Sequence, residues 1–93
     1  MNDGLTFDQF VSITRDMAAN EGDFLPTFVD PQRRDIVALD GHFDDSEIEA
    51  STRTWAEQKG ATRYFIAFAW RGVIKAEEYR DGAIAATQMI ELN

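Results

Sequence analysis

Residues 63–93 read RYFIAFAWRGVIKAEEYRDGAIAATQMIELN, and this stretch decides the fold. Arg71-Gly72 and Asp81-Gly82 divide it into three runs of strand length. Two-residue turns with Gly supply the positive φ that tight hairpins need, so the segment reads as a three-stranded antiparallel meander. Two-residue loops pair Trp70 with Val73, Phe68 with Lys75 and Ile66 with Glu77. Across the second turn they pair Arg80 with Ala83, Tyr79 with Ile84 and Glu77 with Ala86. One face then carries Tyr64, Ile66, Phe68, Trp70, Val73, Tyr79, Ile84, Ile90 and Leu92. The other carries Phe65, Ala67, Ala69, Ile74, Ala76, Ala83, Ala85 and Met89. A helix over 83–92 is the competing reading, since Ala and Met favour it and Asp81 could cap it. Alternation of Ile84, Ala86, Ile90 and Leu92 favours the strand.

Upstream, Thr6-Phe7-Asp8-Gln9 fits a capping box, with Leu5 and Phe10 spaced as a hydrophobic staple. Phe7, Phe10, Val11, Thr14, Met17 and Ala18 follow at helical spacing, and Asn20-Glu21-Gly22 ends the helix. Phe24–Val29 is a strand candidate that Pro26 assigns to an edge or an irregular start. A turn at Asp30-Pro31-Gln32-Arg33 leads to Arg34–Asp40, whose two apolar sides suggest an interior strand. Ser46-Glu47-Ile48-Glu49 reads as a second capping box after Asp44 and Asp45. Ile48, Thr52, Trp55 and Ala56 mark the buried stripe of that helix, and Lys59-Gly60 closes it.

The order is α-β-β-α-β-β-β, an α+β fold with a mainly antiparallel five-stranded sheet and two helices on one face. Residues 1–93 form one domain. With both helices on the aromatic face, the alanine face lacks cover within the chain. A second copy is the economical cover, giving a homodimer through Phe65, Ala67, Ala69, Ala76 and Ala85.

Composition narrows the function. Apolar residues make up 44% and charged residues 28%, as in globular chains, and the net charge is −8. Up to Gly60 there are 13 acids (Asp3, Asp8, Asp16, Glu21, Asp23, Asp30, Asp35, Asp40, Asp44, Asp45, Glu47, Glu49, Glu57) against 5 bases (Arg15, Arg33, Arg34, Arg53, Lys59). Beyond it, Glu77, Glu78, Asp81 and Glu91 balance Arg63, Arg71, Lys75 and Arg80. All the excess negative charge precedes Gly60. Such a surface repels nucleic acid and anionic lipid and favours basic partners. The chain has no cysteine, which excludes disulfides and thiolate metal sites. It carries no apolar run long enough to span a bilayer and no signal-peptide pattern at Met1-Asn2-Asp3-Gly4, so a cytoplasmic location is expected.

Candidate chemistry is sparse. Asp40, His42, Asp44 and Asp45 concentrate oxygen and imidazole groups, but not at the spacing of a calcium loop, and two of the acids suit the helix start. No metal or cofactor is assigned. His42 could act as a base, yet Ser12, Ser46 and Ser51 all fall on helices or caps, and no catalytic residue is assigned. Glu77 and Glu78 alternate to opposite faces and cannot share a substrate. Tyr64, Phe68 and Trp70 with Arg63 and Arg71 suggest a base-stacking platform, but the charge balance disfavours direct nucleic-acid binding. Tyr64, Glu77 and Tyr79 are candidates for a small-molecule pocket, though solvent exposure at that end of the sheet explains the same polar residues. Asp40, Asp44, Asp45, Glu47 and Glu49 form a candidate acidic partner surface. The resulting expectation is a non-enzymatic interaction module, inhibitor or decoy-like, that binds a basic protein surface and self-associates. The alternative is a small-molecule-binding or minor enzymatic domain with a pocket between helices and sheet.

Overall fold

The computed structural model describes residues 5–20, 26–32, 35–38 and 44–91. Its elements are α1 (Phe7–Asn20), β1 (Thr27–Asp30), β2 (Asp35–Ala38), α2 (Asp45–Lys59), β3 (Arg63–Trp70), β4 (Val73–Arg80) and β5 (Ala83–Ile90). The five strands form one antiparallel-paired sheet in the order β2-β1-β3-β4-β5. The fold is α+β, and residues 83–90 are strand.

Both hairpins of the meander turn as the sequence requires. Arg71 and Gly72 have φ of 50° and 83°, and Asp81 and Gly82 have 53° and 83°. Positive φ at both central residues is the pattern that matches strand twist in two-residue loops. The β3–β4 register is the expected one, from Trp70 opposite Val73 to Arg63 opposite Arg80. Between β4 and β5 the register is as expected only up to Tyr79 opposite Ile84. A bulge then places Glu78 opposite Ala86 and Glu77 opposite Thr87, so the expected pairing of Glu77 with Ala86 is corrected. The extra residue is Ala85. Because side chains alternate with period two, one inserted residue moves everything beyond it to the opposite face. Ile90 therefore joins Ile74 on the alanine face, where it is fully buried, and Met89 joins Lys75 on the aromatic face.

The helices lie on opposite faces of the sheet, which corrects the placement of both on one. Phe10 and Ala18 of α1 cluster with Val29, Phe65, Ala67, Ile74, Ala76 and Ile90. Ile48 and Ala56 of α2 cluster with Phe28, Tyr64, Ile66, Phe68 and Tyr79. Neighbouring residues of β3 thus feed two separate cores. The physical reason is that both faces of β3 are apolar, and each must be removed from water. Topology contributes as well. β2 and β3 both run antiparallel to β1, so they are parallel to each other and α2 is their crossover. A crossover must pass over one face, and α1 takes the other. On that side Phe10 stacks on Phe65 with centroids 5.0 Å apart, and the small Ala67 and Ala76 leave room for the helix.

The expected strand positions are exchanged. β1 is interior, between β2 and β3, and β2 is an edge. Pro26 lies just before β1 and removes no ladder donor from it, and all four β1 residues are buried. Ile36 of β2 is 69% exposed. The Asp30–Pro31 turn is fixed by the Gln32 amide, which donates to Asp30 Oδ1 at 3.0 Å.

Both helices begin with reciprocal caps. The Thr6 amide donates to Gln9 Oε1 (3.0 Å) and the Gln9 amide to Thr6 Oγ1 (3.2 Å). For α2 the capping box is two residues earlier than Ser46–Glu49. Asp44 is the N-cap, the Glu47 amide donates to its Oδ1 (2.8 Å), and Glu47 Oε1 accepts from the Asp44 amide (3.1 Å). A carboxylate outcompetes a hydroxyl here because it also meets the positive end of the helix dipole. Gly60 closes α2 in the left-handed conformation, with φ of 67°.

Candidate interaction surface

The acidic surface is built on α2, whose apolar stripe of Ile48, Thr52 and Ala56 fixes its orientation on β1 and β3. Asp44, Glu47, Glu49 and Glu57 are exposed, with Arg53 and Lys59 among them. Two residues apart on a helix means about 200° of rotation, so Glu47 and Glu49 stand on different flanks. Glu49, Arg53 and Glu57 follow at four-residue spacing along one flank, with the cation between the two acids. Asp44 is tied into the cap. Its Oδ1 accepts from the Glu47 amide and from Ser46 Oγ (2.8 Å each), and these bonds hold its carboxyl below the usual value. Asp40 and His42 lie outside the described residues, as does the side chain of Asp45. Among the described residues, no group of three or more His, Cys, Asp or Glu side chains is arranged to hold a metal ion.

Tyr64, Glu77 and Tyr79 are brought together on the face covered by α2. The Tyr64 and Tyr79 rings stack with centroids 5.1 Å apart and planes 4° from parallel. Trp55 meets Tyr64 edge-on at 6.5 Å and Phe28 at 5.8 Å. Lys75 Nζ stands 3.8 Å from Glu77 Oε2 and 5.1 Å from the centroid of the Trp70 ring. Glu77 is 1% exposed, which corrects the expectation that this end of the sheet is open to solvent. Tyr64 borders a depression of about 340 Å³ with Arg53, Glu57, Thr62 and Asp81; Glu77 and Tyr79 do not line it. A second depression, of about 330 Å³, runs along α2 beside Thr54, Trp55 and Gln58.

Burial first, and then the Glu77 and Glu49 carboxylates, push the Tyr79 phenol up to about 12. Burial likewise raises Tyr64. A folded-state pKa above the ordinary value of 10 means that the unfolded chain loses this proton first as pH rises. The stabilisation is therefore complete below pH 10 and is lost as pH climbs toward 12. Denaturant midpoints measured across that range should fall for the native chain, and Tyr79→Phe should flatten the fall. An unchanged slope in the variant would contradict the assignment.

The interface residues expected on the alanine face divide into two groups. Phe65, Ala67 and Ala76 are fully buried under α1, so the premise that this face lacks cover is corrected. Ala69 and Ala85 are exposed. Sequence reasoning missed a charged cluster on the same face. Glu78 Oε2 accepts from Arg63 Nε (2.8 Å) and Arg80 Nε (2.7 Å), and the Arg63 guanidinium lies 4.9 Å from the Phe65 ring centroid. The signal was available, because Arg63 pairs with Arg80 across the strands and Glu78 precedes Arg80 by two residues on the same face.

The chain matches no protein-family model, and no curated protein or solved structure matches it significantly.

Proposed function

We propose that this domain is a non-enzymatic interaction module that presents carboxylates to a basic protein surface and acts as a homodimer in the cytoplasm. The observation that carries the reading is the exposed acid on α2, in a chain whose excess negative charge lies entirely before Gly60. Helix-borne carboxylates can occupy positions that phosphates take on a nucleic-acid-binding protein, so an inhibitor or decoy is the concrete form. No helix among the described residues is long and apolar enough to cross a membrane. The small-molecule alternative has less support, because Glu77 and Tyr79 are buried and do not line the depression that Tyr64 borders.

The test uses a panel of purified nucleic-acid-binding domains with basic clefts. Binding should compete with duplex DNA or RNA and weaken steeply with salt, since each displaced contact is electrostatic. Glu49→Lys with Glu57→Lys, exposed acids on one flank that take no part in the α2 cap, should reduce affinity at least tenfold while leaving the circular dichroism spectrum unchanged. Uniformly weak, salt-independent association across the panel would refute the reading.

A further inference from the structure

We infer that two copies of this chain join edge to edge through β5, forming one continuous sheet of ten strands from two sheets of five. The inference rests on the self-association part of the proposed function and not on its basic-partner part. It also replaces the buried alanine face with a different surface.

Among the described residues β5 pairs only with β4, leaving its outer backbone edge without a strand partner. Residues 83–89 are exposed or, at Ala86, half-buried, and Ile84 and Met89 are 51% and 40% exposed. The strand sequence AIAATQMI contains no charge, no Pro and no Gly, although 28% of the chain is charged. Natural edge strands are usually short, charged or interrupted, because a long neutral edge is a template for another strand. β2, at the opposite edge, follows that rule with four residues and an acid at its start. β5 has eight residues, and its single protective feature is the bulge at Ala85, which leaves Ala86–Ile90 regular.

A second copy fits this edge better than a basic segment. No carboxylate on β5 rewards a cation, so a basic partner gains nothing there. A second β5 supplies an equally neutral strand of equal length. It also approaches through the part of the chain, beyond Gly60, in which four acids balance four bases. The exposed acids Glu47, Glu49 and Glu57 lie on α2, which clusters with residues of β1, β3 and β4. By contrast α1, which contacts β5, carries only Asp8 and Asp16 against Arg15, so most of the like charge of two molecules stays apart. Pairing β5 with β2 would match eight residues against four and propagate head to tail, whereas pairing β5 with itself closes as a twofold dimer.

Symmetry and side-chain alternation select the register. Across a twofold axis normal to the sheet, paired residues must lie on the same face, so their numbers differ by an even count within the regular stretch. The register that uses all of Ala86–Ile90 sets Gln88 opposite Gln88, Thr87 opposite Met89 and Ala86 opposite Ile90. Residues directly opposite in an antiparallel pair have Cα atoms about 4.5–5.5 Å apart, within the span a disulfide bridges.

Because the chain has no cysteine, Gln88→Cys introduces a single thiol. Mild oxidation should convert this variant to a covalent dimer at least tenfold faster than Ala69→Cys, an exposed control on the same face. The native chain should run at twice its 10.5 kDa mass by light scattering, at low and high salt alike. Gln88→Lys should return it to 10.5 kDa by placing two ammonium groups face to face. A native monomer at every concentration would overturn the inference, as would a dimer indifferent to Gln88→Lys or equal cross-linking of the two cysteine variants. If Gln88→Lys fails to fold, the native mass and the cross-linking rates still decide. Loss of basic-partner binding with the dimer intact would refute only the acidic-surface reading, and a monomer that still binds basic domains would refute this inference together with the homodimer while leaving the acidic-surface reading standing.

Discussion

Ala67→Glu is expected to unfold the protein, while Ala69→Glu, two residues further along the same face of β3, should change stability by less than about 0.5 kcal/mol. Ala67 is 0% exposed, packed with Phe10 and Ala18 of α1 and with Ala76 of β4, whereas Ala69 is exposed. A glutamate at 67 adds four heavy atoms beyond Cβ and forces α1 away, which costs about 1–3 kcal/mol as overpacking. Its carboxylate must also leave water without a cationic partner or push its pKa up, and that adds several kcal/mol. The total stability of a domain this size is about 5–15 kcal/mol, so the sum approaches or exceeds it. Far-UV circular dichroism and a denaturant titration decide the matter. A cooperative transition for Ala67→Glu at the native midpoint would mean that α1 does not cover this face. The same pair of variants separates a core from a docking surface: an alanine-lined interface between copies would leave the Ala67→Glu monomer folded.

The meander was legible in the sequence because its determinants are local. Arg71-Gly72 and Asp81-Gly82 set the turns, and alternation assigned Tyr64, Ile66 and Phe68 to one side and Phe65 and Ala67 to the other. What could not be read locally was which helix covers which side. Phe10 and Ile48 each belong to an apolar stripe able to cover either face, and only the β2–α2–β3 crossover over β1 separates them. The bulge at Ala85 was hidden for a related reason. No Gly or Pro marks it, and alternation through Ile84, Ala86 and Ile90 is satisfied without it. Its cause is tertiary, since only the shift brings Ile90 beside Ile74 and under α1. Pro26 misled because its meaning depends on a boundary. One residue inside β1 it would have demanded an edge, but just before the strand it permits an interior position. For the candidate surface, the exposed acids of α2 followed from its stripe, and the burial of Glu77 did not, because alternation places Glu77 on a face without saying what covers that face.

Glu78→Gln is expected to destabilise the domain by about 2 kcal/mol and to remove part of its acid sensitivity. Glu78 is 4% exposed on the face shared with Phe65, and one of its oxygens receives Nε–H bonds from both Arg63 and Arg80. Burial alone would raise its carboxyl pKa, but the two guanidinium groups outweigh it and hold the carboxyl below 4.5. The stabilisation is therefore present above pH 4.5 and is lost as pH falls through the lower folded-state value. Removing one member of a fully buried pair costs about 3–5 kcal/mol, and the smaller figure here reflects the water that reaches the arginines. The Arg63 and Arg80 side chains are 22% and 60% exposed, so both can be partly rehydrated once the carboxylate is gone. The same exposures rank the partners. Arg80→Ala should cost less than about 1 kcal/mol, as surface ion pairs do. Arg63→Ala should cost more, because its guanidinium also lies over the Phe65 ring and shields the α1 core. Urea midpoints for the three variants, each measured at neutral pH and again below pH 4, test the ranking. The gap between native chain and Glu78→Gln should narrow at the lower pH, where the native carboxyl is taking up its proton; a gap that stays constant would show that Glu78 acts through packing and not through its charge.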